Sequence, residues 1–232
     1  MKKFLYKTIS FSIPLILFLV IPGILLFVSG ENYRSIDELV VTENEYLIGY
    51  AYNENNYRYL KQKELENRQS CSVIALGSSR VLQFRDKMFT KSFYNAGYTV
   101  SSISGFLPFM ECNLKKNSKP EVLLIALDQW MFNENWDSLI NYSKINRLSQ
   151  ASFNKSASLT TIFNVWTDLF LAKYSFEVLF SNSDFIGPKI GLNAIVNNTG
   201  FLKDGSMFYG DQINKLLLKD STANDFGYLD TY

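Results

Sequence analysis

Histidine is missing from all 232 residues of this chain. A serine nucleophile needs a base to take its proton, and imidazole is the usual one, so a complete Ser-His site is excluded. Histidine ligands for a metal are excluded with it. The only cysteines, Cys71 and Cys112, form no Cys-x-x-Cys pair, so neither a zinc centre nor any other metal or cofactor is expected. Two isolated cysteines in an exported domain can bridge or stay as buried thiols, and both readings stand. Charge of one sign is scarce as well. Lys and Arg number 23 against 22 Asp and Glu, so no long-range field favours nucleic acid. What the chain does hold is apolar and aromatic residues, 47% and 16%, the composition of a folded protein.

The first thirty residues form a separate object. Lys2, Lys3 and Lys7 precede an uncharged stretch from Ile9 to Ser29, rich in Ile, Leu, Phe and Val. At about 1.5 Å per residue, this stretch crosses a hydrocarbon core roughly 30 Å thick. The lysine flank holds the amino terminus in the cytoplasm, so a single-pass cell-membrane protein is expected, with the chain after Gly30 outside. Val28-Ser29-Gly30 has small residues where a signal peptidase could cut, and Pro22-Gly23 could break the helix before it. The stretch is longer than the roughly 7–15 residues of a signal core, which favours a retained anchor. Residues 31–70 are polar and read as a passage from membrane to domain. Within them, Tyr57, Leu60 and Leu65 share one face of a helix expected over residues 57–66.

From Cys71 the pattern sharpens, and residues 71–232 read as one α/β domain. Ser72-Val73-Ile74-Ala75-Leu76 is a short apolar run closed by Gly77, which suits a strand buried on both faces. Ser92-Phe93-Tyr94-Asn95 gives a second strand, closed by Ala96-Gly97, and the run from Glu121 to Asp128 gives a third. Between these two, Ser101 or Ser102 can cap a helix that runs to about Lys116. Strands alternating with helices predict a parallel sheet with right-handed crossovers. Further on, Leu159, Ile162, Phe163, Trp166, Leu169 and Phe170 recur at helical spacing behind Ser158, which predicts a helix packing on the core. Gly187-Pro188 and Asp204-Gly205 mark turns.

Candidate chemistry gathers where the strands end. In a parallel sheet the turns Gly77-Ser78-Ser79-Arg80, Asn95-Ala96-Gly97 and Asp128-Gln129 meet along one edge, where acyl-transfer sites hold a nucleophile and its oxyanion donors. These blocks resemble the SGNH (GDSL-type) hydrolase superfamily, with Gly-x-Ser after strand one, Asn-x-Gly after strand two and a polar turn after strand three. The closer resemblance is to its membrane-anchored branch, which includes the teichoic-acid D-alanine-transfer protein and proteins that modify surface polysaccharides. Residues 127–133 and Asp204-Gly205-Ser206 also resemble that branch.

The resemblance implies a flavodoxin-like fold, a parallel sheet flanked by helices. It also implies an acyl-ester hydrolase or acyltransferase whose partners are a cell-surface polymer or an acyl-donor protein. Ser79 would be the nucleophile, the backbone N–H groups of Ser79 and Gly97 the oxyanion donors, and Asn95 the shaper of the second turn. Two positions depart from the family. Ser78 stands where it carries aspartate, and Asp128 or Gln129 where it carries a donor asparagine; an ionised carboxylate accepts hydrogen bonds without donating them.

The family's Asp-x-x-His block has no counterpart. Asp211, Asp220, Asp225 and Asp230 lie in the right region, but no histidine follows any of them. The expectation is an SGNH-like domain that is either incomplete at its C-terminus, the favoured case, or complete and inactive. The rival is a non-enzymatic anchored module that binds a polymer or a partner protein through the same cleft. A third reading seats a phosphate or sulfate on the Gly-Ser-Ser-Arg turn. Plainer uses stand beside each residue. Ser78 and Ser79 can cap the next helix, Arg80 can be a surface ion-pair residue, and Asp128 can be a turn former. Trp130, Phe132 and Trp136 can line a sugar cleft or cover the open end of the sheet.

Overall fold

The structure is a computed structural model that describes residues 2–32, 36–42, 44–54, 56–68, 71–100, 102–113, 119–135, 157–174 and 187–210. The apolar run forms one helix, α1 (Lys2–Val28), which continues through Pro14 and Pro22. Its span Tyr6–Val28 contains an 18-residue stretch of mean hydropathy 2.7, 17% of it buried, so it is long and apolar enough to cross a membrane. Pro22-Gly23, which could have broken the helix, does not. Pro22 removes one N–H from the helix, and the carbonyl it would have met, that of Phe18, takes the Trp166 indole N–H instead at 2.9 Å.

The helix ends in a Schellman turn. Gly30 lies at φ 72°, its N–H meets Phe27 O, and the Glu31 N–H reaches back to Leu26 O. Glu31 then locks this end to the domain. Its Oε1 accepts the N–H groups of Ala51, Tyr52 and Asn53, and its Oε2 accepts that of Leu192. Burial pushes the carboxyl above its usual range, against the pull of these donors.

The stretch expected as a passage from membrane to domain belongs to the domain itself. It carries α2 (Asp37–Val41), β1 (Leu47–Ile48) and α3 (Asn56–Asn67). Tyr46, Ile48, Tyr50, Tyr57 and Leu60 sit in one buried cluster with Leu82 and Phe201. The polar composition misled because many of these polar atoms are phenols and amides bonded inside the protein. The Tyr57 hydroxyl, for example, accepts the Tyr50 N–H at 2.6 Å and donates to Tyr50 O at 3.0 Å.

Beyond it follow β2 (Val73–Leu76), β3 (Phe93–Asn95), α4 (Ile103–Asn113) and β4 (Val122–Ile125). The three strands make a parallel sheet in the order β3-β2-β4, as the alternation of strands and helices predicts. Central β2 is buried along its whole length, with Phe106 and Phe109 of α4 packed in the cluster that holds Ile74 and Leu76. β4 has the stronger apolar sequence, yet Val122 and Ile125 are each 44% exposed. Cys71 is a buried free thiol, so the bridge left open from sequence does not involve it. Cys112 belongs to α4, and its side chain lies outside the described residues.

Later elements are α5 (Leu159–Phe170), β5 (Lys189–Ile190), α6 (Leu192–Asn197), β6 (Gly200–Phe201) and β7 (Met207–Phe208). Four of the two-residue strands form a second sheet, β5-β1-β6-β7, in which β1 runs parallel to β5 and antiparallel to β6. The architecture is therefore mixed α/β, not the single parallel sheet expected. The Asp204-Gly205 turn joins β6 to β7, with Gly205 at φ 79°. Ser158 caps α5 as predicted, its Oγ accepting the Thr161 N–H at 3.0 Å. The core that α5 packs on is formed with α1, with Val165 in the cluster of Leu25, Leu26 and Leu192.

Candidate functional site

The register of the parallel sheet fixes its carboxyl rim. Ala75 pairs with Asn95 and Leu124, and Leu76 with Ile125, so the chain leaving β2 emerges between the turns after β3 and β4. Two bonds tie these turns together. Tyr98 N–H donates to Gly77 O and Ala126 N–H to Leu76 O, both at 2.9 Å. Gly77 has φ 149°, where a side chain is strained, and a Cβ there would meet Ala126 at 3.0 Å. At Gly97 a Cβ would collide with Val81. Gly77 is favoured by its backbone conformation and Gly97 by close approach at this rim.

Past Gly77 the two serines divide. Ser78 is 7% exposed and caps the short 3-10 helix Ser79–Gln83, its Oγ accepting the Arg80 N–H at 3.3 Å. Ser79 opens that helix and is exposed; among the described residues its hydroxyl has no hydrogen-bond partner. Its N–H belongs to the unpaired donors of the helix start. The plain capping reading therefore holds for Ser78 and not for Ser79.

Asn95 is fully buried. Its Nδ2 donates to Val81 O at 2.6 Å and Phe84 O at 2.9 Å, and its Oδ1 accepts the Gly97 N–H at 2.9 Å. It holds the 3-10 helix against the second turn. The same bond occupies Gly97. The expected second oxyanion donor points inward at an amide oxygen, because an Asn side chain readily takes the N–H two residues on. Tyr98 follows at φ 73°, an uncommon conformation for a bulky side chain, and is 42% exposed.

The third turn is built around Asp128, 3% exposed. Its Oδ1 meets Arg80 Nε at 3.1 Å, and its Oδ2 is buried with no partner among the described residues. Arg80 stays 67% exposed, its guanidinium 5.0 Å from the Trp130 ring centre. Gln129 is exposed and begins the 3-10 helix Gln129–Phe132. The rim thus joins an exposed serine, a cation over an aromatic face and a half-paired buried carboxylate. No group of three His, Cys, Asp or Glu able to hold a metal occurs among the described residues. Trp136, Asp211, Asp220, Asp225 and Asp230 lie outside them.

Sequence reasoning missed the support behind Asn95. Lys61 of α3 is wholly buried, donating Nζ to Asn95 O at 2.7 Å and to Gly205 O, and lying 4.2 Å from the Phe201 ring. Burial holds its amine well below the ordinary lysine range. The Asn95 N–H donates to Asp204 O at 2.8 Å, and the Asp204 carboxylate accepts the N–H groups of Ser206 and Asp86. Spacing held a signal. Lys61 falls four residues after Tyr57 and four before Leu65, on the face already assigned to the core.

Comparison with family models, curated proteins and solved structures returns no match.

Proposed function

We propose that this chain is a membrane-anchored protein of SGNH-hydrolase type, with a flavodoxin-like parallel sheet whose cleft takes an acyl ester carried by a cell-surface polymer. One observation carries the reading: the exposed residue Ser79 just past the carboxyl end of the central parallel strand, flanked by the turns after β3 and β4. α1 is the anchor, with its lysine flank in the cytoplasm and the domain outside.

In acyl transfer, Ser79 Oγ attacks the carbonyl carbon, the carbonyl electron pair moves onto oxygen, and the Ser79 N–H faces that oxyanion. The hydroxyl proton needs an acceptor. No imidazole exists in these residues, so Ser79 stays protonated, and what remains is about 10³–10⁴-fold over water from oxyanion stabilisation and binding. The third turn favours a second reading, a non-enzymatic module binding a polymer or partner protein. Arg80 over Trp130 makes a cationic aromatic shelf suited to a sugar ring, while the Gly97 N–H is already bonded.

A fluorophosphonate probe on the full chain, with and without added imidazole, separates the two. Imidazole stands in for the missing base. The expected result is labelling that requires both imidazole and Ser79 and is absent in Ser79→Ala. No Ser79-dependent labelling at any imidazole concentration overturns the esterase-type site and leaves the binding module.

A further inference from the structure

We propose that α5 is a second membrane-embedded element, lying beside α1 in the outer half of the bilayer with Leu159 and Phe163 facing lipid hydrocarbon and Phe170 and Leu171 at its outer boundary. This rests on the reading of α1 as a membrane anchor. The argument starts at Pro22. In a helix the Phe18 carbonyl would accept the N–H of residue 22, which proline lacks. An unpaired carbonyl in hydrocarbon costs several kcal/mol, so a proline inside a spanning helix calls for a replacement donor from a neighbouring segment. Trp166 of α5 supplies it, Nε1 to Phe18 O at 2.9 Å, with its ring stacked on Phe18 at 5.9 Å. Phe163 adds an edge contact to the same ring at 5.3 Å.

Depth follows from position. Phe18 lies ten residues before the end of α1, or about 15 Å along the helix axis, roughly half of a 30 Å hydrocarbon core. A helix that touches Phe18 cannot do so from the water. The composition of α5 agrees. Its first charge is Asp168, which accepts the Tyr52 hydroxyl at 2.8 Å and pairs with Lys173 at 2.6 Å. Tyr52 gives its N–H to Glu31, just past the end of α1, so this charged end sits at the level where the spanning helix stops. The rest of α5 is uncharged, and its outer face exposes Leu159 (65%), Phe163 (58%) and Phe170 (83%), with Leu171 (63%) immediately after. Beside them lie the neutral Thr160, Asn164 and Thr167, the Thr167 hydroxyl donating back to Phe163 O at 3.0 Å. α5 is held against α1, whose own residues are exposed and apolar along the same helix, and the occupant that covers both is the same bilayer.

Nitroxides on single cysteines in the full chain, reconstituted in phosphatidylcholine vesicles with Cys71 and Cys112 replaced by Ala, test this. Ile13→Cys on α1 is the lipid reference and Lys87→Cys on the domain the water reference. The expected result is that Leu159→Cys and Phe163→Cys relax with oxygen over a nickel chelate, as Ile13→Cys does. If they follow Lys87→Cys while Ile13→Cys remains on the lipid side, α5 is in water and the proposal is overturned. Shielding from both reagents overturns it too, and assigns the face to a second copy or a protein partner. If Ile13→Cys itself reports water, the anchor reading has failed and α5 falls with it. A readout that keeps both cysteines is Trp166 emission in a Trp130→Phe, Trp136→Phe background. Loss of emission in vesicles with brominated acyl chains is expected, and unchanged emission contradicts it.

Discussion

Ser78 and Ser79 are adjacent, but one is a buried cap and the other an exposed residue at the rim of the sheet. Their substitutions should separate accordingly. Ser78→Ala removes a capping acceptor and should cost about 1 kcal/mol in chemical denaturation, whereas Ser79→Ala should stay within about 0.5 kcal/mol. The order matters for any loss of labelling in Ser79→Ala, which then reports chemistry and not folding. Both serines were visible in the sequence as a turn after a buried strand. Which of the two caps was not visible, because that depends on where the Ser79–Gln83 helix begins. The Gly97 N–H was hidden for a related reason. The Asn95 side chain can turn toward substrate or back onto its own turn, and only packing around Val81 and Phe84 selects the second.

Among the elements, long periodic stretches were readable and two-residue strands were not. α1 was readable as a long apolar run and α5 as an apolar stripe over several turns, α3 more faintly from Tyr57, Leu60 and Leu65, while β1, β5, β6 and β7 have no room for a pattern and exist only through their pairing. The partner of an amphipathic face was also beyond the sequence, since the stripe of α5 fits a sheet as well as a helix. Its pairing with α1 gives a quantitative expectation. Pro22→Ala restores an N–H for Phe18 O, so Trp166→Phe should cost less in that background than in the wild type. A double-mutant cycle in bicelles should return a coupling of about 0.5–1.5 kcal/mol. Zero coupling would mean that the indole bond does not replace the lost helix bond.

At the scale of the whole molecule, the two sheets are joined through buried polar groups. Lys61 bonds the end of β3 to the β6–β7 turn, and Glu31 fastens α1 to the loop after β1 and to α6. The chain is dense in buried phenols, and burial pushes Tyr46, Tyr57 and Tyr94 above the ordinary tyrosine range. The native state keeps these protons while the unfolded chain releases them near pH 10, so this contribution to stability falls as pH rises through about 10. Tyrosinate absorbance and loss of far-ultraviolet circular dichroism should therefore rise together above that pH; ionisation of all tyrosines before unfolding would contradict the burial. The parallel half of the architecture was evident from three strand-and-turn blocks, whereas the second sheet joins β1, from a polar stretch that reads as a linker, to three two-residue strands beyond Pro188. Ser79 at the rim of the parallel half is tested most directly by peptide mapping of the fluorophosphonate adduct formed on the full chain in imidazole buffer. The adduct should fall on Ser79 and vanish in Ser79→Ala; an adduct on Ser78, on another serine or nowhere would contradict a nucleophile at that position.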